Sequence, residues 1–249
     1  MAGIDPLFLR TGSVGVFDRI ARVYDRANRV LSFGQDIRWR DSIKDWLPSS
    51  GSLAVLDIAC GTADMALTLL KSRSAACRVT GIDLCDHMLD IGRIKADRSG
   101  HLRQISFVRA DAQNLPFSGQ SFDVVTVAFG LRNMPNYVRV LAGAHRVLKS
   151  NGQLIVLELV LPGKSNILYP LVRFYIRFLV PFIGGLFTGQ PQAYRYLAQT
   201  IEHFSDGQRF EQILEQTGFR VSARKHFMFG VARLWLAEKA ASAMTGQAW

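Results

Sequence analysis

Short apolar runs alternate with amphipathic stretches through the middle of the chain. Between the runs, apolar residues recur at intervals of about three and four positions, which predicts helices such as residues 85–96 and 136–149. The runs themselves are typical of strands buried in a parallel sheet. They cover residues 53–58, 77–83, 105–111, 122–128 and 152–158. This alternation predicts an α/β fold with a doubly wound, mostly parallel sheet.

The two ends of this pattern carry further elements. Residues 16–46 precede the first strand and have apolar positions at helical spacing, which predicts a helical flank within residues 1–50. Near the other end, a helix over residues 206–217 is expected to stop at Gly218. Residues 219–227 and 231–238 then alternate like two strands around a turn, which predicts a C-terminal antiparallel hairpin.

An insertion over residues 160–200 interrupts the alternation. No acidic residue occurs in positions 159–201, whereas basic residues are spaced through them: Lys164, Arg173, Arg177 and Arg195. Pro181 and the Gly184-Gly185 pair are expected to break its apolar run, so a membrane-spanning helix is not expected. Three interpretations stay open: an amphipathic element on anionic lipid, a roof over an apolar substrate pocket, or an ordinary helix that covers the sheet or makes a dimer contact.

Candidate ligand chemistry follows the first strand, in D-I-A-C-G-T-A-D (residues 57–64). The apolar run breaks at Gly61 and a helical pattern resumes at Thr62, which predicts a strand, a tight turn and a helix. A pyrophosphate-binding turn needs G-x-G-x-x-G, and only Gly61 is present here. With Asp57 inside the turn, the site suits a positively charged nucleoside without phosphates, and S-adenosylmethionine fits that description. The competing interpretation is a capping glycine with solvated acids.

Two more acids share this position at later strand ends. Asp83 follows Asp57 by 26 residues, about where a βαβ unit places the carboxylate that binds ribose hydroxyls. Asp111 and Ala112 follow the third strand, where a carboxylate and a backbone N–H can pair with an adenine ring. Because the carboxyl ends of parallel strands meet at one edge of the sheet, the three acids predict one nucleoside site there.

Composition limits the domain organisation and the kinds of partner that the protein can have. The 249 residues show no linker or repeat, so a single domain over residues 1–249 is the simpler expectation. Thirty basic and twenty acidic residues give a net charge of +10, which favours anionic partners. No nucleic-acid-binding motif accompanies that charge, so nucleic acid is not expected.

Three cysteines, Cys60, Cys77 and Cys85, lack metal-site spacing; they indicate free thiols in a reducing cytoplasm and no metal centre. The first ten residues lack secretion-signal features.

Several segments together resemble the ubiquinone/menaquinone biosynthesis C-methyltransferase family over residues 16–238. They are Y-D-R-A-N-R-V-L-S (24–32), D-I-A-C-G-T-A-D (57–64), F-G-L-R-N (129–133), R-V-L-K-S-N-G-Q-L-I-V-L-E (146–158) and A-Y-R-Y-L (193–197). The resemblance implies a Rossmann-like class I methyltransferase that transfers a methyl group from S-adenosylmethionine to a ring carbon of a prenylated quinol. It implies cofactor contacts from Thr62, Asp83, Asp111 and Ala112, beside Asp57, Gly61 and Ala128.

The chain departs from the family pattern at four places. The usual Met after Y-D-x is Ala27, and the His common three residues before Trp39 is Asp36, so a role for that His does not carry over. The family's P-G-G is S-N-G at residues 150–152. A serine often found before F-G-L-R-N is Ala128, which removes one polar contact to the cofactor.

The catalytic candidates lie in F-G-L-R-N. A ring carbon becomes nucleophilic when the neighbouring hydroxyl loses its proton, so a permanent positive charge that stabilises the phenolate is needed. Arg132 is the candidate for that charge and Asn133 for orienting the hydroxyl, although both also fit a structural turn. Among the histidines, His203 and His226 are weak candidates for a base.

The predicted function is C-methylation of demethylmenaquinol in menaquinone biosynthesis, with the equivalent ubiquinone step as the alternative. Less favoured are another apolar acceptor, such as a sterol or acyl lipid, and a non-catalytic scaffold of a quinone-synthesis complex. The expected partner is the prenylated quinol. Contact with the inner face of the cell membrane and a homo-oligomer are further expectations, in an otherwise cytoplasmic protein.

Overall fold

A seven-stranded sheet forms the centre of the protein in the computed structural model, which describes residues 13–49, 51–73, 77–204 and 207–240. The strands run in the order β3-β2-β1-β4-β5-β7-β6. The first five are parallel, and β7 pairs antiparallel with both β5 and β6. Their bounds are β1 Leu53–Ile58, β2 Cys77–Asp83, β3 Ile105–Arg109, β4 Phe122–Ala128, β5 Leu148–Leu159, β6 Phe219–Phe227 and β7 Ala232–Lys239. The predicted doubly wound sheet and terminal hairpin are confirmed.

Helices surround this sheet and precede it. Their bounds are α1 Ser13–Leu31, α2 Gln35–Asp41, α3 Asp64–Arg73, α4 Asp86–Arg98, α5 Tyr137–Val147, α6 Tyr169–Phe174, α7 Val180–Thr188, α8 Pro191–Phe204 and α9 Gly207–Gln216. Short 3₁₀ turns occur at Ser42–Trp46, Leu102–Gln104, Ala112–Asn114, Leu131–Asn133 and Met228–Gly230. The predicted flank corresponds to α1, α2 and the first 3₁₀ turn. Residues 1–12, which include the ten without secretion-signal features, and residues 241–249 lie outside the described residues.

Two apolar cores cover the two faces of the sheet. Successive strand residues point to opposite faces, so Val55 joins one core and Leu56 the other. The first core includes Trp39, Ile43 and Leu69 from α2, the adjoining 3₁₀ turn and α3. The second includes residues of α5 and α9. Because β4 is buried on both sides, its run from Phe122 to Ala128 is mostly apolar, with Asp123 and Thr126 as its polar residues, as the sequence pattern predicts.

Two boundaries differ from the prediction. Strand β3 ends at Arg109 rather than at Asp111, because the Asp111 side chain accepts a hydrogen bond from the Gln113 N–H at 2.9 Å and starts a 3₁₀ turn. Strand β5 begins at Leu148, four residues before the predicted start at Gly152. The backbone partner of Phe122 in β4 is Leu148, with a register shift before Val124, so a bulge incorporates the S-N-G segment into the strand.

The insertion contains a continuous helix, and the expected break at Pro181 and Gly184-Gly185 is wrong. Helices α6 and α7 are joined by a π-helical turn, Tyr175–Leu179, into one helix over Tyr169–Thr188. Pro181 is the second residue of α7 and follows the π-helical turn almost directly, so the proline coincides with an irregular turn inside the helix and does not end it. Gly184 packs against the Tyr194 ring so closely that an added Cβ would lie 2.3 Å from Cγ. The glycine pair therefore provides close helix packing instead of a break.

This insertion helix, Tyr169–Thr188, is long and apolar enough to cross a membrane by length and composition, with a mean hydropathy of 1.5. Its contacts give it a protein-facing side, since Ile176, Val180 and Gly184 are buried. Helix α7 contacts α1 and α8 on that side. The opposite side is exposed.

A network of six charged side chains attaches the flank to the sheet. It comprises three acids, Asp25, Asp36 and Asp64, and three bases, Arg29, Arg40 and Lys95. Arg29 pairs with Asp36 at 2.6 Å and with Asp64 at 2.8 Å, and Lys95 pairs with Asp25 at 2.6 Å. Burial alone would raise the pKa of Asp64, but Arg40 and Lys95 lower it to about 2. The network thus holds α1 and α2 against α3 and α4.

Candidate active site

The loop after β1 has an unusual backbone. Ala59, Gly61 and Ala63 all adopt left-handed conformations, with φ of 54°, 53° and 65°. Glycine adopts this region freely, but each alanine there costs about 1–2 kcal/mol. Hydrogen bonds hold the turn, because the Cys60 N–H donates to the Ile82 carbonyl and the Ala63 N–H to the Cys60 carbonyl, both at 2.9 Å. Backbone strain at this point indicates a functional site.

Asp83, at the end of β2, fastens this loop. One carboxylate oxygen accepts from the Gly61 N–H at 2.9 Å and the other from the Cys85 N–H at 3.0 Å. Burial raises the pKa of Asp83, and these backbone donors partly counteract that effect. A carboxylate has about four acceptor positions, so Asp83 keeps capacity for ligand hydroxyls.

A cavity of about 110 Å³ lies at the carboxyl ends of the first four strands, and we call it the acidic cavity. Of the predicted cofactor residues, five line it: Gly61, Asp83, Asp111, Ala112 and Ala128. Its outer wall is α1, through Val14, Phe17 and Tyr24. Among the described residues, no Lys, Arg or His lines it. Two carboxylates without a basic partner disfavour phosphate and fit a nucleoside with positive charge.

Asp57 and Thr62 lie behind this cavity rather than on its wall. The Thr62 hydroxyl donates to Asp25 at 2.7 Å and accepts from Lys95 at 3.1 Å, which links the loop to the charged network. Asp57 accepts from the Thr126 hydroxyl at 2.7 Å, while its other oxygen, Oδ2, is buried without a hydrogen-bond partner in the described structure. Their contact with a cofactor stays a prediction.

A larger cavity of about 440 Å³ lies between the flank, the insertion helix and the hairpin turn, and we call it the apolar cavity. Its volume falls within the range of small-molecule sites, roughly 300–1,000 Å³. Aromatic and aliphatic side chains dominate the wall. They include Leu31, Phe33, Trp39, Leu171, Phe174, Tyr175, Leu197, Met228 and Phe229. Polar groups gather at its inner end, where Asp36, Arg40 and Arg132 are all buried.

Tyr24 and Phe129 separate the two cavities, because both line the acidic cavity and the apolar cavity. Phe129 has a φ of 60°, a strained conformation for a bulky residue. Its N–H donates to the Leu157 carbonyl at 2.7 Å, and Arg40 lies over its ring, 5.0 Å from the centroid. The Phe129 carbonyl accepts from Arg132 Nη1 at 2.7 Å. These contacts fix the aromatic ring where the cavities meet.

Arg132 and Asn133, the predicted catalytic residues, are placed differently. Arg132 lines the apolar cavity and forms a buried ion pair with Glu158 at the end of β5. Asn133 lines the acidic cavity, and its amide nitrogen donates to the Phe129 carbonyl at 3.3 Å. Both also line a small third cavity of about 30 Å³ beside Tyr24. The structure therefore brings the two residues to the junction, with the Arg132 charge balanced by Glu158.

Three residues at the junction were not predicted as site residues. Glu158 is the last residue of the fifth predicted strand, and Tyr24 and Trp39 belong to the predicted helical flank. Trp39 Nε1 and Arg132 Nε are buried donors without a hydrogen-bond partner among the described residues, and both side chains line the apolar cavity. Unmatched donors in an apolar wall are suited to the oxygen atoms of a ligand. The tyrosine of Y-D-R-A-N, Tyr24, is the sequence feature that could have indicated this part of the site.

The remaining polar candidates lie away from this junction. His203 is on α8 and His226 on β6, and neither lines the three cavities. Asp36 stands where the family commonly has His, and it accepts from Arg29 and Arg40, each at 2.6 Å. Within the described residues, no group of three or more His, Cys, Asp or Glu side chains has metal-site geometry.

Comparisons with known proteins agree with this geometry. The model of the ubiE/COQ5 methyltransferase family matches residues 10–239. A demethylmenaquinone methyltransferase from Thermotoga maritima is 40% identical over 223 residues, covering 90% of this chain and 94% of that protein. One from Thermus thermophilus is 39% identical over 226 residues, covering 90% and 100%.

Among solved structures, a SAM-dependent methyltransferase from Thermotoga maritima, described as a possible histamine N-methyltransferase, superimposes with a TM-score of 0.64. It is 18% identical, with 90% of this chain and 99% of that chain covered. At this identity the similarity shows the fold alone. Fold, strand-end acids and relatives together define the protein as a Rossmann-like methyltransferase. Within that class, the chain belongs to the ubiE/COQ5 methyltransferase family.

Asp57 should make stability depend on pH. Burial raises the pKa of Asp57 to about 7, although the Thr126 hydrogen bond and Arg40 lower it. Because the folded-state pKa exceeds the unfolded value, the stabilisation is present below about pH 4 and is lost as the pH rises through about 7. Asp57→Asn removes this titration. As the pH rises from 4 to 7, the free energy of unfolding of the variant should therefore increase relative to that of wild type. The increase should be about 1.4 kcal/mol for each unit by which the folded-state pKa of Asp57 exceeds its unfolded-state pKa.

Urea unfolding of both proteins across that range measures the difference. Other titrating groups, including Asp64, cancel because they are common to both proteins. A difference that stays constant with pH would show that Asp57 is charged in the folded protein throughout.

Arg132 and Glu158 should be strongly coupled. Arg132→Met leaves the Glu158 carboxylate buried without its cation, which should cost about 3–5 kcal/mol of stability. Glu158→Leu likewise leaves the Arg132 guanidinium buried without its anion. The double variant Arg132→Met/Glu158→Leu should cost clearly less than the two single changes added together. A double-mutant cycle by urea unfolding measures the coupling, and additive costs would contradict a buried pair.

Proposed function

We propose that the protein catalyses transfer of the methyl group of S-adenosylmethionine to a ring carbon of a prenylated quinol. One observation carries this proposal: an acidic cavity at the strand ends and a large apolar cavity meet at Tyr24 and Phe129. A methyl donor held in the first cavity and an aromatic acceptor held in the second would meet at this junction. Holding two reactants in such an orientation accounts for a large part of catalysis.

The residues of the acidic cavity suit S-adenosylmethionine. Asp83 would accept from the ribose hydroxyls, and Asp111 with Ala112 would bind the adenine ring. Gly61 has no neighbour within 4 Å of an added Cβ, so its backbone can approach a ligand closely. Ile82, Leu84 and Met88 offer apolar wall to the nucleoside base. When bound, the cofactor supplies an electrophilic methyl group on a positively charged sulfur.

The inner end of the apolar cavity would activate the acceptor. Arg132 and Trp39 line this cavity and carry unpaired N–H donors that would serve the ring oxygens, and Arg132 stays charged in its pair with Glu158. Donors that meet developing negative charge in a water-poor site stabilise it more than water does. Arg132 therefore favours the phenolate, which makes the adjacent carbon nucleophilic. Asn133 and Tyr24 line the small third cavity together with Arg132 and would orient the ring.

The names of the relatives favour a naphthoquinol. The proteins from Thermotoga maritima and Thermus thermophilus are both described as demethylmenaquinone methyltransferases. We infer from them that the acceptor is demethylmenaquinol and that the step belongs to menaquinone biosynthesis. The ubiquinone precursor, which carries a benzoquinol ring, is the alternative to be tested beside it.

Methyl transfer from labelled S-adenosylmethionine tests the activity. Demethylmenaquinol and a demethoxy-ubiquinol precursor are offered side by side under reducing conditions, and we expect transfer to demethylmenaquinol. Asp83→Asn should weaken cofactor binding by roughly ten- to hundredfold, because a hydrogen bond to a charged group is lost. The matched control is Asp90→Asn, which changes an exposed acid paired with Arg93. Cofactor binding without transfer to either quinol would overturn the proposed acceptor class.

Trp39→Phe tests the inner end of the apolar cavity. The change keeps an aromatic ring beside Phe129 but removes the unpaired N–H donor. We expect kcat/KM for the quinol to fall by roughly three- to tenfold, the value of one neutral hydrogen bond. Affinity for S-adenosylmethionine should not change.

Trp46→Phe is the matched control, since Trp46 packs on the core and does not line the cavity. Equal losses in the two variants would indicate a packing effect. Kinetics with each quinol, together with cofactor titration, separate these outcomes.

A further inference from the structure

Large apolar side chains are exposed along one side of the insertion helix. Ile167, just before the helix, is 92% exposed, Phe182 is 72% and Leu186 is 79% exposed. Leu171, Phe174 and Phe178 continue the same row, with spacing of three or four residues that keeps them on one side of a helix. Solvent exposure of such a row is costly unless something covers it.

Two other elements add to this row. Phe33 in the turn between α1 and α2 is 69% exposed, and Phe229 at the hairpin turn is 70% exposed. Phe33 lies 6.1 Å from Tyr175 of the insertion helix by ring centroids, and the Asn166 amide donates to the Phe229 carbonyl at 3.3 Å. Phe229 is held in the left-handed region, with a φ of 57°, which fixes its outward position. Chain segments far apart in sequence thus form one apolar surface.

This surface surrounds the mouth of the apolar cavity. Phe33, Leu171, Phe174 and Phe229 are exposed to solvent and also line the cavity. A side chain that does both lies at the cavity entrance. The entrance is therefore ringed by apolar groups on three sides, formed by the flank, the insertion helix and the hairpin turn.

Charge around the surface indicates which partner covers it. Residues 159–201 contain no acid, whereas Lys164, Arg173, Arg177 and Arg195 are basic. Arg173 and Arg177 share a single acid, Glu202, at 3.4 Å and 3.7 Å, so positive charge remains in excess. Apolar groups bordered by arginines match the acyl region and the anionic headgroups of a lipid leaflet.

The insertion helix suits a position in the plane of a leaflet better than across it. Its inner side packs on the protein through Ile176, Val180 and Gly184. Crossing a bilayer would separate this side from α1 and α8 and place two arginines in the hydrocarbon core. Lying flat keeps the packing and buries only the exposed row.

We propose that the exposed row of the insertion helix, with Phe33 and Phe229, docks on an anionic lipid bilayer and opens the apolar cavity directly into the hydrocarbon region. The second half of this inference rests on the proposed function. Moving a prenyl tail from lipid to water is unfavourable for every CH₂ group that becomes exposed. An entrance within the leaflet lets the quinol ring reach the junction while its tail remains in an apolar environment.

Phe178→Glu/Phe182→Glu tests the docking surface, because both residues are exposed and neither lines a cavity. Vesicles of phosphatidylcholine with phosphatidylglycerol should bind wild type, and binding should weaken when phosphatidylglycerol is omitted. The double variant should bind roughly a hundredfold more weakly, since it loses two buried aromatic side chains. The matched control, Ile94→Glu/Leu102→Glu, changes exposed apolar residues elsewhere and should bind as wild type does.

Turnover of a short-tailed, water-soluble quinol separates this inference from the proposed function, because it needs no vesicle. The Phe178→Glu/Phe182→Glu variant should keep that turnover and lose turnover of a long-tailed quinol presented in vesicles. Vesicle binding equal to wild type in this variant would overturn the proposal. So would a wild-type dimer that the same changes convert to a monomer without loss of vesicle binding, since a second chain would then cover the row.

Discussion

The charged network between the flank and the sheet determines where both cavities lie. Helix α1 carries Tyr24 to the junction, and α2 carries Trp39 to the inner end of the apolar cavity. Neither helix belongs to the sheet, and besides their apolar contacts both helices are positioned by Asp25, Asp36 and Asp64 meeting Arg29, Arg40 and Lys95. Partly buried ion pairs add little net stability, but they have strict geometry, because an unpaired member is expensive to bury. They therefore specify position more than they stabilise the fold.

The same network reaches the loop after β1 through Thr62, which bonds both Asp25 and Lys95. A shift of α1 would disturb this loop and, through Gly61, the hydrogen bond to Asp83. The loop after β4 approaches from the opposite side, where an added Cβ on Gly130 would lie 2.8 Å from that of Ala59. Both strained loops are thus packed against each other at the point where donor and acceptor would meet.

Local periodicity was sufficient to predict the strands and the terminal hairpin, because buried parallel strands have a simple apolar signature. The acids at strand ends followed from topology, so Asp83 and Asp111 could be placed at one edge. The pairing of Arg132 with Glu158 could not be predicted in this way. It depends on the register between β4 and β5, which no local sequence pattern specifies. Pro181 was misread for a related reason. Whether it breaks a helix depends on the π-helical turn before it, and tertiary packing of Gly184 on Tyr194 decided the outcome.

The two cavities are built from separate parts of the chain, and this division has an evolutionary consequence. The strands and loops from β1 to β4 supply most of the acidic cavity, whereas the flank, the insertion and the hairpin turn supply nearly all of the apolar one. Within the second set, the insertion helix and the hairpin turn do not line the acidic cavity, whereas α1 of the flank does. Descendants of such a protein can therefore acquire new acceptors by exchanging the insertion helix and the hairpin turn, while the inherited donor site remains under its original selection.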